Sequence, residues 1–296
     1  MKHIVAYSGG ADSTYLLHSF IQKYPGQVMA AHFNHRWHAA EDQYATHCVD
    51  FCNRFDIPMV MVDGLLACKD SETISRDARQ IFFIDLARQY GGQILTGHHK
   101  DDLVETIIYR LARGTGIDGL EAMREYNEID GVTFHKPLLT ISRDEIVNYC
   151  HANDLSFIND ESNNDLTKAR NLIRKSILPL LEEINGSARN NIARLAEHAG
   201  NTKKMVRTLI SLSLNEINYL SVGNSHTFSN DLFSMLDPGI QKEAIKHMLK
   251  YTRSNTIDVA IDLITRKKAG YLKGGWFIKT KNNIVILEKS IDSKAK

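Results

Sequence analysis

Near the start of the chain, Ser8-Gly9-Gly10-Ala11-Asp12-Ser13 gathers the residue types that can hold a phosphate group. Glycines here permit positive φ and let backbone N–H groups close around an anion, while Ser8 and Ser13 add hydroxyl donors. Asp12 is the odd member. A bare carboxylate repels phosphate, so it suits a site in which a divalent cation such as Mg2+ lies between the two. The run has neither the Gly-Lys-Ser/Thr ending of a Walker loop nor the spacing Gly-x-Gly-x-x-Gly, which disfavours kinase-type γ-phosphoryl transfer and a dinucleotide cofactor. The blander alternative is a glycine turn with Asp12 or Ser13 as a helix N-cap.

A second run, Thr96-Gly-His-His-Lys-Asp-Asp-Leu-Val-Glu-Thr106, holds two histidines and three carboxylates. Asp102 and Glu105, three apart, share one face if the segment is helical, and such a pair can hold Mg2+ or meet an ammonium group. The same spacing at a helix start is close to a capping box, and both readings can hold at once. His98 and His99 are adjacent, so their side chains diverge; hydrogen bonding suits them better than a shared metal. Arg113, after the next helical stretch, is a candidate phosphate contact. Arg170 and Arg174 share a helical face that composition alone describes as solvated.

These runs matter only if a fold brings them together. The first half alternates short apolar runs with helical patterns: His3–Tyr7, Gln27–Phe33, Met59–Val62 and Gln93–Thr96 read as strands, and Ser13–Tyr24, Glu41–Phe55 and Ile74–Tyr90 as helices, with another helix from about Asp101. This predicts an α/β fold with a doubly wound, mostly parallel sheet. In such sheets ligands bind outside the carboxyl ends of the strands, which is where the residues after Tyr7, Phe33, Val62 and Thr96 fall.

From about Ser187 the texture changes to long helical stretches, Ser187–Ile217 and Gly239–Tyr251, and a terminal strand pair, Trp276–Thr280 and Ile284–Leu287. Two domains are expected, 1–186 and a smaller, mainly helical 187–296. The whole chain, 296 residues with 36 Lys+Arg, 35 Asp+Glu and 43% apolar content, is no uniformly polybasic coat. Its near-neutrality hides a division, however: residues 1–186 carry 18 basic and 26 acidic side chains, and residues 187–296 carry 18 and 9. The second part is therefore the candidate for a polyanionic partner. Four cysteines without a CxxC pair suggest neither a zinc site nor a disulfide framework, and the longest apolar run, Ile57–Val62, is too short for a membrane span. With no signal peptide visible, a reduced cytoplasmic setting is expected.

After the first strand, Ser-Gly-Gly-x-Asp-Ser resembles the PP-loop of the N-type ATP pyrophosphatases, which share an adenine nucleotide alpha hydrolase-like fold, cleave ATP between the α and β phosphates and adenylate a substrate oxygen. The ordered series SGGADS, HFNHRW, DARQ, TGHHKDDLVET, RGTGIDGLEAM, KPLL, DESNND, ARNLIR and ILP resembles the tRNA(Ile)-lysidine synthetase family over roughly residues 3–186. Beyond Ser187 only the helical layout and the ending around Gly275–Ile278 are similar. The resemblance implies ATP and Mg2+ as cofactors, and free L-lysine and an isoleucine tRNA with a CAU anticodon as substrates. ATP would adenylate the C2 oxygen of the wobble cytidine, and the lysine ε-amino group would then displace AMP.

It further implies that Ser8, Gly9, Gly10, Ala11, Asp12 and Ser13 cradle pyrophosphate and Mg2+, with Asp12 and Asp102 on the metal. Phe33 and His35 would border the adenine. Asp102 with Glu105 would face the lysine ammonium, and Arg79, Arg113 and Arg170 would take up phosphate or carboxylate charge. The family often has a second arginine three residues beyond the position of Arg79, where Phe82 stands here. Longer members carry a further C-terminal domain, so a compact two-domain member is expected. A homodimer is kept among the expected assemblies, and no membrane partner is expected. The rivals are a PP-loop tRNA thiolase, a catalytically inactive nucleotide-responsive RNA-binding protein, and a small-molecule amidotransferase ligase.

Overall fold

His3-Ile-Val-Ala6 and Val28-Met-Ala-Ala31 are apolar at nearly every position, which suits strands covered on both faces. In the computed structural model, which describes residues 2–34, 40–64, 72–159, 165–250 and 254–289, they lie side by side in β1 (Lys2–Ala6) and β2 (Val28–Asn34). With β3 (Met59–Asp63), β4 (Gly92–Leu95), β5 (Tyr126–Ile129) and β6 (Val132–His135) they form a six-stranded sheet ordered β3-β2-β1-β4-β6-β5. Only β5 runs antiparallel. The order reverses beside β1, whose residues pair with β2 on one side (Val5 with Ala30) and with β4 on the other (Val5 with Leu95). The expected doubly wound α/β architecture is present.

Helices cover both faces. Those that do so are α1 (Ala11–Lys23), α2 (Ala40–Arg54), α3 (Glu72–Tyr90) and α6 (Arg143–Ala152); α4 (Lys100–Ala112) and the short α5 (Ile117–Leu120) come between α3 and α6 in the chain. Tyr7, Leu16, Leu17, Phe51 and Ile146 join α1, α2 and α6 to one face, and Ile4, Met29, Phe83, Ile84 and Ile94 join α3 to the other. The hairpin β5–β6 is an addition to the four expected strands. Its turn, Asp130-Gly131, has φ of 50° and 77°, the mirror-image turn that matches strand twist, and Asp-Gly is its usual sequence.

After α6 come α7 (Ala169–Leu172), one π-helical turn (Ile173–Ile177), α8 (Leu178–Ile184) and the long α9 (Ala188–Glu216). Val104 of α4 packs on Ile173 and Leu178, and its neighbours Leu103 and Ile107 pack on Ala196. The chain divides into two compact units, Met1–Gly200 and Asn201–Lys296, and the division falls within α9.

The second unit holds β7 (Leu220–Val222), β8 (Ser225–Ser229), α10 (Asn230–Met235), α11 (Pro238–Leu249), α12 (Ser254–Thr265), β9 (Gly270–Leu272), β10 (Trp276–Lys281) and β11 (Ile284–Lys289). Its five strands form an antiparallel sheet ordered β7-β8-β11-β10-β9. The terminal pair was expected; β7, β8 and β9 are three to five residues long, too short for a period of two to stand out. Ile210, Leu214, Ile245, Met248 and Ala260 from the helices meet Phe228, Ile278, Val285 and Leu287 from the sheet in one core. Among the described residues no helix is long and apolar enough to cross a membrane.

Candidate functional site

The loop after β1 is shaped by its first glycine. Gly9 has φ +81°, and a Cβ there would stand 2.6 Å from Ile158 Cδ1 and 3.1 Å from Cys48 Sγ, so both the conformation and the packing require glycine. Gly10, extended at φ −73°, is the N-cap of α1 and offers no side-chain cap. Neither Asp12 nor Ser13 is therefore the cap; the helix begins at Ala11, ahead of both. Ser13 instead braces the loop: its Oγ accepts from Ser8 N (3.2 Å), lies 3.2 Å from Ser8 Oγ and donates to Gly10 O (3.0 Å). The result is an uncapped helix N-terminus with the positive end of its dipole facing outward, a ready site for an anion.

The strand order brings β4 against β1, and Gly97 lets the chain beyond β4 approach α1. A Cβ on Gly97 would lie 3.1 Å from Asp12 C and 3.2 Å from Ser13 N. Two residues later His99, fully buried, caps α4. Its Nδ1 accepts from Asp101 N (3.2 Å), which in the neutral ring leaves the proton on Nε2. Nε2 faces Asp12 Oδ1 at 3.6 Å and Asp102 Oδ2 at 3.5 Å. Asp102 Oδ2 in turn accepts from His99 N (3.1 Å), so the capping box pairs Asp102 with His99 rather than with Glu105. Asp101, also buried, accepts from Arg143 N (2.8 Å) and from Arg189 Nη1, an anchoring role.

Glu105 is completely buried and held by Arg174, whose Nε donates to Oε1 at 2.6 Å and Nη2 to Oε2 at 3.2 Å; the same Nη2 reaches Asp102 Oδ1 at 3.4 Å. Burial pushes the Glu105 carboxyl up, and Arg174 opposes the shift. Burial likewise pushes Asp12 up, against the pull of His99 and of Arg143, whose Nη1 lies 3.8 Å away. Arg174 sits in the π-helical turn, a distortion that often accompanies functional positions. Spacing alone brought out Arg170 and Arg174 together but gave no reason to prefer Arg174. His99 and Arg143 carried no sequence signal beyond their places beside a strand end and a helix start.

These groups line a cleft of about 1440 Å³ outside the carboxyl ends of β1, β2 and β4. Ser8, Gly10, Ala11, Asp12 and Ser13 border it, as do Phe33, Arg79, Asp102, Glu105, Arg113 and Arg170. His35 lies outside the described residues, as do Asp160 to Asn164. Phe33 and Phe82 stand with ring centroids 5.9 Å apart; Phe33 borders the cleft and Phe82 packs against the core behind it. Arg113 is exposed at the end of α4, its Nη1 3.1 Å from Tyr109 Oη. His98 is drawn down to about 4 by burial, with Asp102 opposing and the positive charges of Lys136, Arg170 and Arg79 adding to the effect.

No cluster of three or more metal-ligating side chains occurs among the described residues. Mg2+ is commonly held by one or two carboxylates with the rest of its shell from water and phosphate. Asp12 Oδ1 and His99 Nε2 are buried and make no hydrogen bond, and Asp12 and Asp102 both face the cleft, so the donor set fits such an ion. A transition metal would call for nitrogen or sulfur ligands, and Cys48, Cys52 and Cys150 are buried, their thiols pushed up by burial to about 12, 12 and 11.

Residues 1–181 match the PP-loop domain family. Over 257 residues, 86% of this chain, the sequence is 31% identical to a tRNA(Ile)-lysidine synthase of Francisella philomiragia and spans 63% of it. It is 36% identical over 66% of this chain to that of Pseudomonas putida, spanning 47% of it, and 34% identical over 83% of this chain to that of Polaromonas naphthalenivorans, spanning 74%. The chain thus spans about half to three quarters of these relatives. Among solved structures it is similar to the U34-tRNA thiolase NcsA of Methanococcus maripaludis (TM-score 0.57, 17% identity, 67% of this chain and 71% of that one), a likeness of fold.

Proposed function

The chain belongs to the PP-loop family and, within it, to the tRNA(Ile)-lysidine synthases, and from that premise we propose that it uses ATP to join free L-lysine to C2 of the wobble cytidine of a CAU-anticodon isoleucine tRNA. Residues 1–186 carry the chemistry and the basic residues of 187–296 meet the tRNA. The observation that carries this reading is the convergence, in one cleft, of an uncapped helix N-terminus, the carboxylates Asp12 and Asp102 on either side of His99, and the arginines Arg79, Arg113, Arg170 and Arg174.

Each part has a task. Backbone N–H groups at Gly10 and the start of α1 receive the phosphates, with donors fixed where charge gathers on departing pyrophosphate. Mg2+, when bound by Asp12 and Asp102, would neutralise charge on the phosphate oxygens. Phe33 borders the adenine, Phe82 backs it, and Arg79, Arg113 and Arg170 take up phosphate charge. The cytidine O2 attacks the α-phosphorus as pyrophosphate leaves; the lysine amine then attacks C2 and the C2–O bond to AMP breaks. Asp102 suits the lysine ammonium, because it is partly exposed to the cleft while Glu105 is fully buried and taken by Arg174. Glu105 therefore acts through Arg174. The base must leave its stack to enter, which costs least in a single-stranded loop such as an anticodon. A cytoplasmic setting accords with these reactants.

A sulfur-delivering reading finds little support. Cys48, Cys52 and Cys150 are buried thiols whose raised values disfavour the thiolate, and Cys68 lies outside the described residues. The test is incubation of the full chain with ATP, labelled lysine and unmodified CAU-anticodon tRNA. Label in the RNA, dependent on ATP and lost in Asp12→Ala, is the expected result. Unlabelled RNA that instead takes sulfur from a donor would overturn it. Binding of tRNA should also weaken steeply with salt, as phosphate neutralisation demands.

A further inference from the structure

The two faces of the second sheet differ. On β10, Trp276 and Ile278 point into the core at 6% and 0% exposure, and Val285 and Leu287 of β11 join them. The alternate residues, Phe277, Lys279 and Lys281, therefore point the other way, where among the described residues no helix of this core lies. Across the strand pair Phe277 stands opposite Tyr271 of β9. The two rings are 4.7 Å apart at 47°, and Tyr271 is 79% exposed. An aromatic pair held this openly gains little for folding.

Its surroundings are cationic. Lys279 and Lys281 continue the same face of β10, Lys273 is in the turn between β9 and β10, and Arg266-Lys267-Lys268 precedes β9, all but Lys279 exposed. Glu288, opposite Phe277, is paired with Lys279 at 3.3 Å. The whole unit, 201–296, carries 16 Lys+Arg against 8 Asp+Glu. Stacking rings interleaved with lysines on an open sheet are the combination that binds unpaired nucleotides: the rings take the bases and the ammonium groups the phosphates. An apolar protein partner would leave Lys273 and Lys281 desolvated without a counter-charge.

We propose that Tyr271 and Phe277 form a base-stacking platform for unpaired nucleotides of the substrate RNA, flanked by Lys273 and Lys281 as phosphate contacts. The assignment rests on the tRNA reading above and deepens it. It separates two contributions that salt can tell apart, since stacking releases no counterions whereas each lysine–phosphate contact does.

The experiment uses the full chain and unmodified CAU-anticodon tRNA, measuring affinity across a salt series. Tyr271→Ala and Phe277→Ala should each weaken binding roughly five- to tenfold with an unchanged salt slope. Tyr271→Trp should restore it, and Lys281→Ala should lower the slope by about 1. ATP binding should be untouched in all four. As a check that needs no substitution, ultraviolet cross-linking of the wild-type complex should attach RNA to the tryptic peptides Ala269–Lys273 and Gly274–Lys279. Wild-type affinity in both alanine variants, or cross-links confined to other peptides, overturns the platform while leaving the tRNA reading intact. A wild-type chain that binds no tRNA overturns the reading itself, and the platform with it.

Discussion

The first sheet is covered by α1, α2 and α6 on one face and by α3 on the other, whereas the second, among the described residues, has helices on one face only. In the first sheet the central strands β1 and β2 are buried along most of their length, so what they leave to meet a ligand lies at the strand ends. That is where the glycine loop, His99, Asp102 and the large cleft lie. In the antiparallel sheet alternate residues remain in water, and the available surface is a face. Covering a sheet twice concentrates chemistry at its edge; covering it once leaves a platform. Burial also sets the electrostatics. Around the cleft, desolvation raises Asp12 and Glu105 and lowers His98.

The contrast can be broken by substitution, beginning with the buried ion pair. Arg174→Ala leaves Glu105 buried without its partner and should cost about 3–5 kcal/mol in urea unfolding, with at least half recovered by adding Glu105→Gln. A loss below about 0.5 kcal/mol would show that the pair is not desolvated as described. The two faces of β10 come next. Ile278→Ala should cost about 3 kcal/mol as a core cavity, and Phe277→Ala, on the open face, less than about 1 kcal/mol. Equal losses would mean that both faces are packed.

At the cleft, Gly9→Ala should slow ATP–pyrophosphate exchange roughly a hundredfold, about 2.7 kcal/mol of barrier, because the loop donors lose their places. Exchange within a factor of two of wild type would remove the loop from the reaction. The last effect concerns pH. His98, drawn from 6.5 to about 4, binds its proton more readily in the unfolded chain, so its contribution is fully present above about pH 6.5 and is lost as pH falls toward 4. His98→Gln should flatten the stability–pH curve in that window by on the order of 1–2 kcal/mol relative to wild type. Parallel curves for the two proteins would contradict the shift.

Only the first side of this contrast is legible in the sequence; the second region reads as mainly helical, with one terminal strand pair. Alternating strands and helices predicted the parallel sheet, and the glycine loop and Asp102–Glu105 were placed at strand ends by topology alone. The β5–β6 hairpin was readable from Asp130-Gly131, whose turn chemistry is local, but its four-residue strands lack a pattern of their own. The strands β7 and β9 were missed for the same reason. Within the site, Asp12, Asp102 and Glu105 stood out as residue types, whereas His99 looked like half of an adjacent pair and Arg174 like one cation on a solvated helix.

What the sequence settled by itself is therefore what depends on neighbours in the chain: element type, the loop that only glycine can build, the acidic and basic halves, and the set of groups able to do chemistry. Which carboxylate is exposed and which is buried, that Glu105 is held by an arginine 69 residues away, and that Asp12 and Asp102 flank one imidazole were decided only by the tertiary structure. Desolvation and ion pairing depend on what lies across a few ångströms of space, and the parallel crossovers of this fold bring together segments that local patterns cannot relate.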